Sequence, residues 1–262
     1  MRFLHIPALG LVVLSAMLAA CGASPPLPAP IAEGTYMVSI GEVLLGNSHV
    51  RYSLTEGREE TLVRIESQSK LEGQGVVVYD STRVELERTE LKPRFSRKII
   101  IAGPERKFAS ATYGPDSLVT FLTGTPQGEF PLYVTADTLV HDKEQLMLSM
   151  GLLGYGADRP TTLRVLSADS QQQLRVVVRE QGRESITVPM GTFDARKVRL
   201  GVRRHRPPTT FDFPERDIFI WYGSDGRMLR YHDPELQALW MVISFDGSLD
   251  AFRPQSQARS GS

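Results

Sequence analysis

Runs of alternating apolar and polar residues, each closed by a turn bearing Gly, Pro, Asn or Asp, occupy most of this chain and limit what it can fold into. Thr35–Leu45 sets Tyr36, Val38 and Ile40 on one face, ahead of a turn at Gly46-Asn47. His49–Leu54, Thr61–Ser69, Val76–Leu86, Arg94–Ile101, Lys107–Tyr113 and Leu118–Thr123 follow. The second half continues with Thr161–Leu166, Leu174–Arg179, Ser185–Val188, Phe193–Val202, Asp217–Tyr222, Arg227–His232 and Leu239–Phe245. Strands joined by such short turns form antiparallel meanders, and the alternation turns one face to a core and the other to water. The expectation is a mainly β domain of roughly a dozen strands.

One segment has a longer period. Between Asp137 and Leu153, Leu139, Leu146, Met150 and Leu153 recur at helical spacing, with Met147 beside them. Asp142–Gln145 supplies polar helix formers with an acidic start, and Gly151 and Gly154 weaken and end the run. This predicts one amphipathic helix over 139–153, laid against an apolar sheet face. Burial of that face contributes about 25 cal/mol per Å² of apolar area. A closed barrel or a two-sheet sandwich would bury the same residues equally well.

The N-terminus carries an address. Arg2 is followed by a mostly apolar stretch without Lys or Arg, then by Leu18-Ala19-Ala20-Cys21, which holds the only cysteine. A charged start, an apolar run and a small-residue cut site make a secretory signal. The box resembles that of bacterial lipoproteins, which implies cleavage before Cys21 and lipid on its thiol and new amino group. Residue 22 is Gly rather than Asp, which by the same resemblance favours the outer membrane, on its periplasmic face. The expected organisation is a signal peptide over 1–20, a lipidated Cys and Pro-rich tether over 21–34, one curved β domain over 35–252 and a disordered tail over 253–262.

Composition narrows the partners. Thirty basic and thirty acidic residues balance, so no global field draws the chain to nucleic acid. Arg outnumbers Lys 24 to 6, and its fork suits carboxylates and phosphates. The densest basic run, Arg203-Arg204-His205-Arg206, is a candidate anionic contact beside Pro207-Pro208. No His-Glu-x-x-His metal motif, Gly-x-Ser-x-Gly elbow or phosphate loop is present. The expectation is a non-enzymatic protein without metal or cofactor. In Phe219–Tyr222, alternation sets Phe219 and Trp221 on one side, and Ile220 and Tyr222 on the other.

Three stretches look familiar. Val188-Pro-Met-Gly-Thr-Phe-Asp-Ala-Arg-Lys-Val198, Phe219-Ile-Trp-Tyr-Gly-Ser-Asp-Gly-Arg-Met-Leu229 and the opening Tyr36, Gly41 and Gly46 resemble an uncharacterised family of periplasmic and secreted bacterial proteins. That family is similar in fold to the lipoprotein carrier LolA and receptor LolB. The resemblance implies a strongly curved antiparallel sheet, an unclosed barrel with helical pieces over its apolar mouth. It also implies a concavity for an amphipathic or lipid-like ligand, with no catalytic residues to carry over. On this reading Leu146, Met147, Met150, Leu153, Phe219 and Trp221 would line the concavity. The protein would then bind such a ligand or an envelope protein; the alternatives are an assembly lipoprotein that holds no small ligand and, behind it, a hydrolase with a composite site.

Overall fold

Strands pair with their neighbours in sequence along two runs of the chain, most of them through short turns. In the computed structural model the first run comprises β1 (Ala32–Ile40), β2 (Val43–Glu56), β3 (Thr61–Gly73), β4 (Val76–Glu87), β5 (Pro93–Ala102), β6 (Glu105–Tyr113), β7 (Leu118–Thr125) and β8 (Gly128–Thr135). The second comprises β9 (Val140–Asp142), helix α1 (Leu146–Leu153), β10 (Thr161–Ser167), β11 (Gln172–Val188), β12 (Gly191–Arg204), β13 (Arg216–Tyr222), β14 (Met228–Asp233) and β15 (Ala238–Gly247). β15 returns to pair with β1, so one fifteen-stranded sheet runs from β8 through β1 and β15 to β9. All pairs are antiparallel except β9 with β10. The structure describes residues 29–57, 60–73, 75–114, 118–125, 128–135, 140–168, 170, 172–204 and 216–254. Cys21 and Arg206 lie outside them.

The sheet curls until its ends overlap, without closing through backbone hydrogen bonds. β9 packs against β5, and Val140 and Leu166 share an apolar cluster with Ala111, Val119 and Phe121 of β6 and β7. This is the unclosed antiparallel barrel expected. α1 lies inside it. Leu146 and Met150 pack with Val176, Val178, Val198 and Ile220 on one wall. Leu148 and Leu152 join Tyr52, Val63, Val84 and Val242 on the other. Two side chains reach in to satisfy helix carbonyls: Arg196 donates to Met150 O at 2.7 Å and Tyr222 to Met147 O at 3.0 Å. A cation suits this end of a helix, where carbonyls lack intrahelical partners.

Three expectations are corrected. The helix is eight residues long and is not amphipathic, since Leu146, Leu148, Ser149, Met150 and Leu152 are all buried. Its expected first turns are instead β9 and a turn, because Asp142 and Gln145 are buried rather than solvated. Asp142 folds onto its own chain, accepting a hydrogen bond from the Glu144 amide at 2.8 Å. Leu139 lies outside the described residues. The first hairpin turns at Gly41, with φ 57°, and not at Gly46-Asn47. Gly46 stays inside β2, where a Cβ would stand 2.1 Å from the Lys70 carbonyl oxygen. Finally, Leu174–Arg179 and Ser185–Val188 are one strand with a bulge between Glu180 and Gly182, and β8 was missed because Pro131 interrupts it. An edge strand tolerates that proline.

Gly151 of α1 packs against the β13–β14 turn so closely that a Cβ would sit 2.1 Å from the Gly226 carbonyl oxygen. Alanine is the better helix former by about 1 kcal/mol, yet Gly151→Ala is expected to destabilise the domain by about 1–3 kcal/mol through overpacking. Chemical denaturation measures this; a neutral or stabilising change would show that α1 is not held against that turn.

Candidate functional site

The six residues expected to line one concavity divide between two faces. Leu146 and Met150 are buried on the β10–β13 wall with Met147 partly buried beside them, and Leu153 packs partly buried against the cluster of Leu148 and Leu152. On β13, Phe219 and Trp221 take the opposite side of the strand from Ile220 and Tyr222; the latter two pack with Leu146 and Met150, whereas Trp221 joins the cluster that holds Leu148 and Leu152, with Phe219 packed against it. Trp221 is buried beside the far half of the β11–β12 hairpin. Its indole N–H donates to Glu184 at 2.6 Å, and it clusters with Ile186, Val188 and Ala195. Lys197 sits over both the Phe219 and Trp221 rings, and Arg230 over Trp221. Arg203 is exposed at the end of β12, with Arg204 next to it in the strand.

Inside the barrel, polarity changes along the strands. Tyr52, Val63, Ile65, Val84 and Leu86 make the inner wall at one end, and Ser48, Ser69 and Thr82 continue it toward the other. Lys98 completes that polar region, paired with Asp80 at 3.1 Å and Glu144 at 3.2 Å. Beside it lies a cleft of about 240 Å³ lined by Lys98, Ile100, Lys107, Phe108, Thr123 and Ser170. Side chains of α1 are buried in the apolar space between the two walls, whereas this cleft is lined by lysines and hydroxyls together with Ile100 and Phe108.

A buried polar cluster, missed in the sequence, fastens the overlapping sheet ends. Asp142 of β9 accepts from Ser96 Oγ of β5 at 2.5 Å and from Tyr113 Oη of β6 at 2.6 Å. Gln145 donates to the Leu91 carbonyl at 2.6 Å, holding a non-glycine residue at φ 55°, and it also contacts His141 Nδ1 at 3.1 Å. The only sequence signal was the compact His141-Asp142 and Gln145-Ser149 grouping, which reads equally well as a helix surface. Ser149, His141 and Asp142 do not form a nucleophile–base relay. Asp142 bonds Ser96 and Tyr113, whereas the His141 ring faces Gln145 and Tyr155. Among the described residues no group of His, Cys, Asp and Glu is arranged to hold a metal ion.

A rim of hairpin tips is the exposed apolar feature at the polar end. Ile40, Val43 and Leu44 of the first hairpin, Val76 at the start of β4 and Leu236 before β15 are 47–60% exposed. The first and last of these tips are tied by the Gly41 amide donating to Gln237 O at 2.9 Å. Glu42, Glu72 and Glu235 stand exposed among them.

Burial moves the latch groups in opposite directions. It pushes Asp142 up to about 6, against the hydrogen bonds from Ser96 and Tyr113, with Glu144 adding to the rise. It pulls His141 down to about 4. Asp142 therefore favours the fold most below about pH 4, and its contribution falls as pH rises toward 6. His141 contributes most above its unfolded value of about 6.5 and loses this as pH falls toward 4. The destabilisation caused by Asp142→Asn should shrink between pH 4 and 6, while that caused by His141→Gln should grow. Urea midpoints of both variants against the parent, measured at pH 4, 5 and 6, check this; parallel pH profiles would contradict it.

No curated protein matches the chain. Among solved structures, a beta-barrel-like protein of domain of unknown function DUF1849 from Brucella abortus is similar in fold, with a TM-score of 0.53 at 11% identity over 84% of this chain and 98% of that one. A protein of Bacteroides fragilis with a YmcC-like fold gives 0.37 at 9% identity over 84% and 97%. A family model described as protein of unknown function (DUF3108) matches residues 35–248, almost all of β1 through β15. On that match the chain belongs to the DUF3108 family.

Proposed function

We propose that this chain is a lipid-anchored protein of the bacterial envelope that docks another envelope protein and carries no lipid inside its barrel. The observation behind this reading is the filled interior. Met150 is fully buried, and Leu148 and Leu152 are nearly so, so α1 occupies the space an acyl chain would need. The Leu18-Ala19-Ala20-Cys21 box supports the anchor, and Gly22 supports the outer membrane, facing the periplasm. The hairpin rim supports the docking. Exposed aliphatic residues beside three glutamates fit a partner whose contact surface is apolar with basic residues around it. The rival reading, an amphipathic ligand held by the barrel, draws on the cleft beside Lys98 and Lys107.

Native mass spectrometry of the full chain, purified from membranes in detergent, tests both parts. Covalent lipid is expected on the parent chain and absent from Cys21→Ala, with no lipid held noncovalently one-to-one. Reproducible one-to-one lipid would overturn the docking reading in favour of the ligand one. A photo-crosslinker at Leu44 should give one discrete adduct with an envelope protein, and Leu236→Lys should lower its yield about tenfold, as loss of an interface anchor does. An adduct indifferent to Leu236→Lys would remove the rim from the proposal.

A further inference from the structure

The strand register of β10, β11 and β12 lines up arginines that are far apart in sequence. Arg164 is opposite Arg175, and Arg175 is opposite Arg203. All three are exposed, so they share one rung on the outer face of the barrel. Neighbouring strands are about 4.8 Å apart, which roots three guanidinium groups within about 10 Å of one another. Two rungs along, Arg179 is opposite Arg199, which is bonded to Asp217 at 2.9 Å. Like charges placed directly across a strand pair disfavour the sheet. The register therefore gathers onto one exposed rung three arginines from three successive strands.

The chemistry of the face narrows its partner. The positions flanking the rung are Thr162, Val177 and Gly201 on one side and Leu166, which is buried, and Gln173 on the other. A protein interface draws its energy from buried aromatic or aliphatic anchors, and β10–β12 contribute none of the exposed large hydrophobic residues. What this face presents is three exposed arginines, a side chain whose geometry matches phosphate oxygens two at a time. We propose that the outer face of β10–β12 is a contact surface for the phosphate headgroups of anionic phospholipids, with Arg164, Arg175 and Arg203 as its binding residues. The site goes beyond the docking rim and depends neither on it nor on the filled interior.

The test uses the full chain in neutral detergent micelles doped with equal amounts of phosphatidylcholine and phosphatidylglycerol of identical tails, at low ionic strength. Native mass spectrometry is expected to show phosphatidylglycerol adducts at least about tenfold above phosphatidylcholine adducts, as three arginines near an anionic headgroup allow. Added salt should erase the preference. Arg164→Gln/Arg175→Gln/Arg203→Gln should abolish it, with circular dichroism confirming the fold, while Arg51→Gln/Arg106→Gln should keep it. Equal retention of the two lipids by the parent chain, or an unchanged preference in the folded triple variant, overturns the proposal. Binding of a polyglutamate peptide without any lipid preference also overturns it and assigns the face to an acidic protein. A lipid held inside the barrel would ignore headgroup and arginines alike, so failure of the docking reading remains distinguishable from failure of this one.

Discussion

A sheet that curls without closing must hide its apolar inner face and secure its two ends, and the rest of this structure depends on how it does both. The eight residues of α1 meet the first need. They are apolar on all sides because they face walls on all sides, Leu146 and Met150 toward one and Leu148 and Leu152 toward the other. Asp142 meets the second, joining β9 to β5 and β6 through Ser96 and Tyr113. Three donors around one buried carboxylate favour its charged form, and burial opposes it. The same segment, residues 140–153, thus closes the seam and fills the barrel.

This arrangement bears directly on function. An open sheet of this kind leaves a pocket where its cover is small or mobile. Here the cover is wedged between both walls, with its carbonyls held by Arg196 and Tyr222 and Gly151 pressed against Gly226. One cleft lies toward the polar end, beside Lys98 and Lys107. On its surface the molecule carries an aliphatic rim edged by glutamates and, on the opposite half of the sheet, an arginine rung.

Much of the fold was legible in the sequence because strand alternation and turn residues are local signals. The parity of Phe219 and Trp221 against Ile220 and Tyr222 was legible too. Which pair packs with which helix residues was not, because parity separates the two sides of a strand without saying what each side meets. Arg203 stood out as part of a charge run, whereas Arg164 and Arg175 are isolated in sequence and meet it only through register. Asp142 and Gln145 read as solvated helix formers because their partners, Ser96, Tyr113 and Leu91, lie about thirty to fifty residues upstream.

By itself the sequence determined a mainly β architecture, one helix ending at Gly154, and membership of a family of unknown function. These follow from periodicity, turn chemistry and the match over residues 35–248, none of which needs a distant contact. Only the tertiary structure decided where the helix begins, that it fills the barrel, that a buried aspartate joins the sheet ends and that three arginines share a rung. Each of those rests on residues brought together by strand register or by the overlap of the sheet ends, and such pairings leave no mark on local sequence spacing.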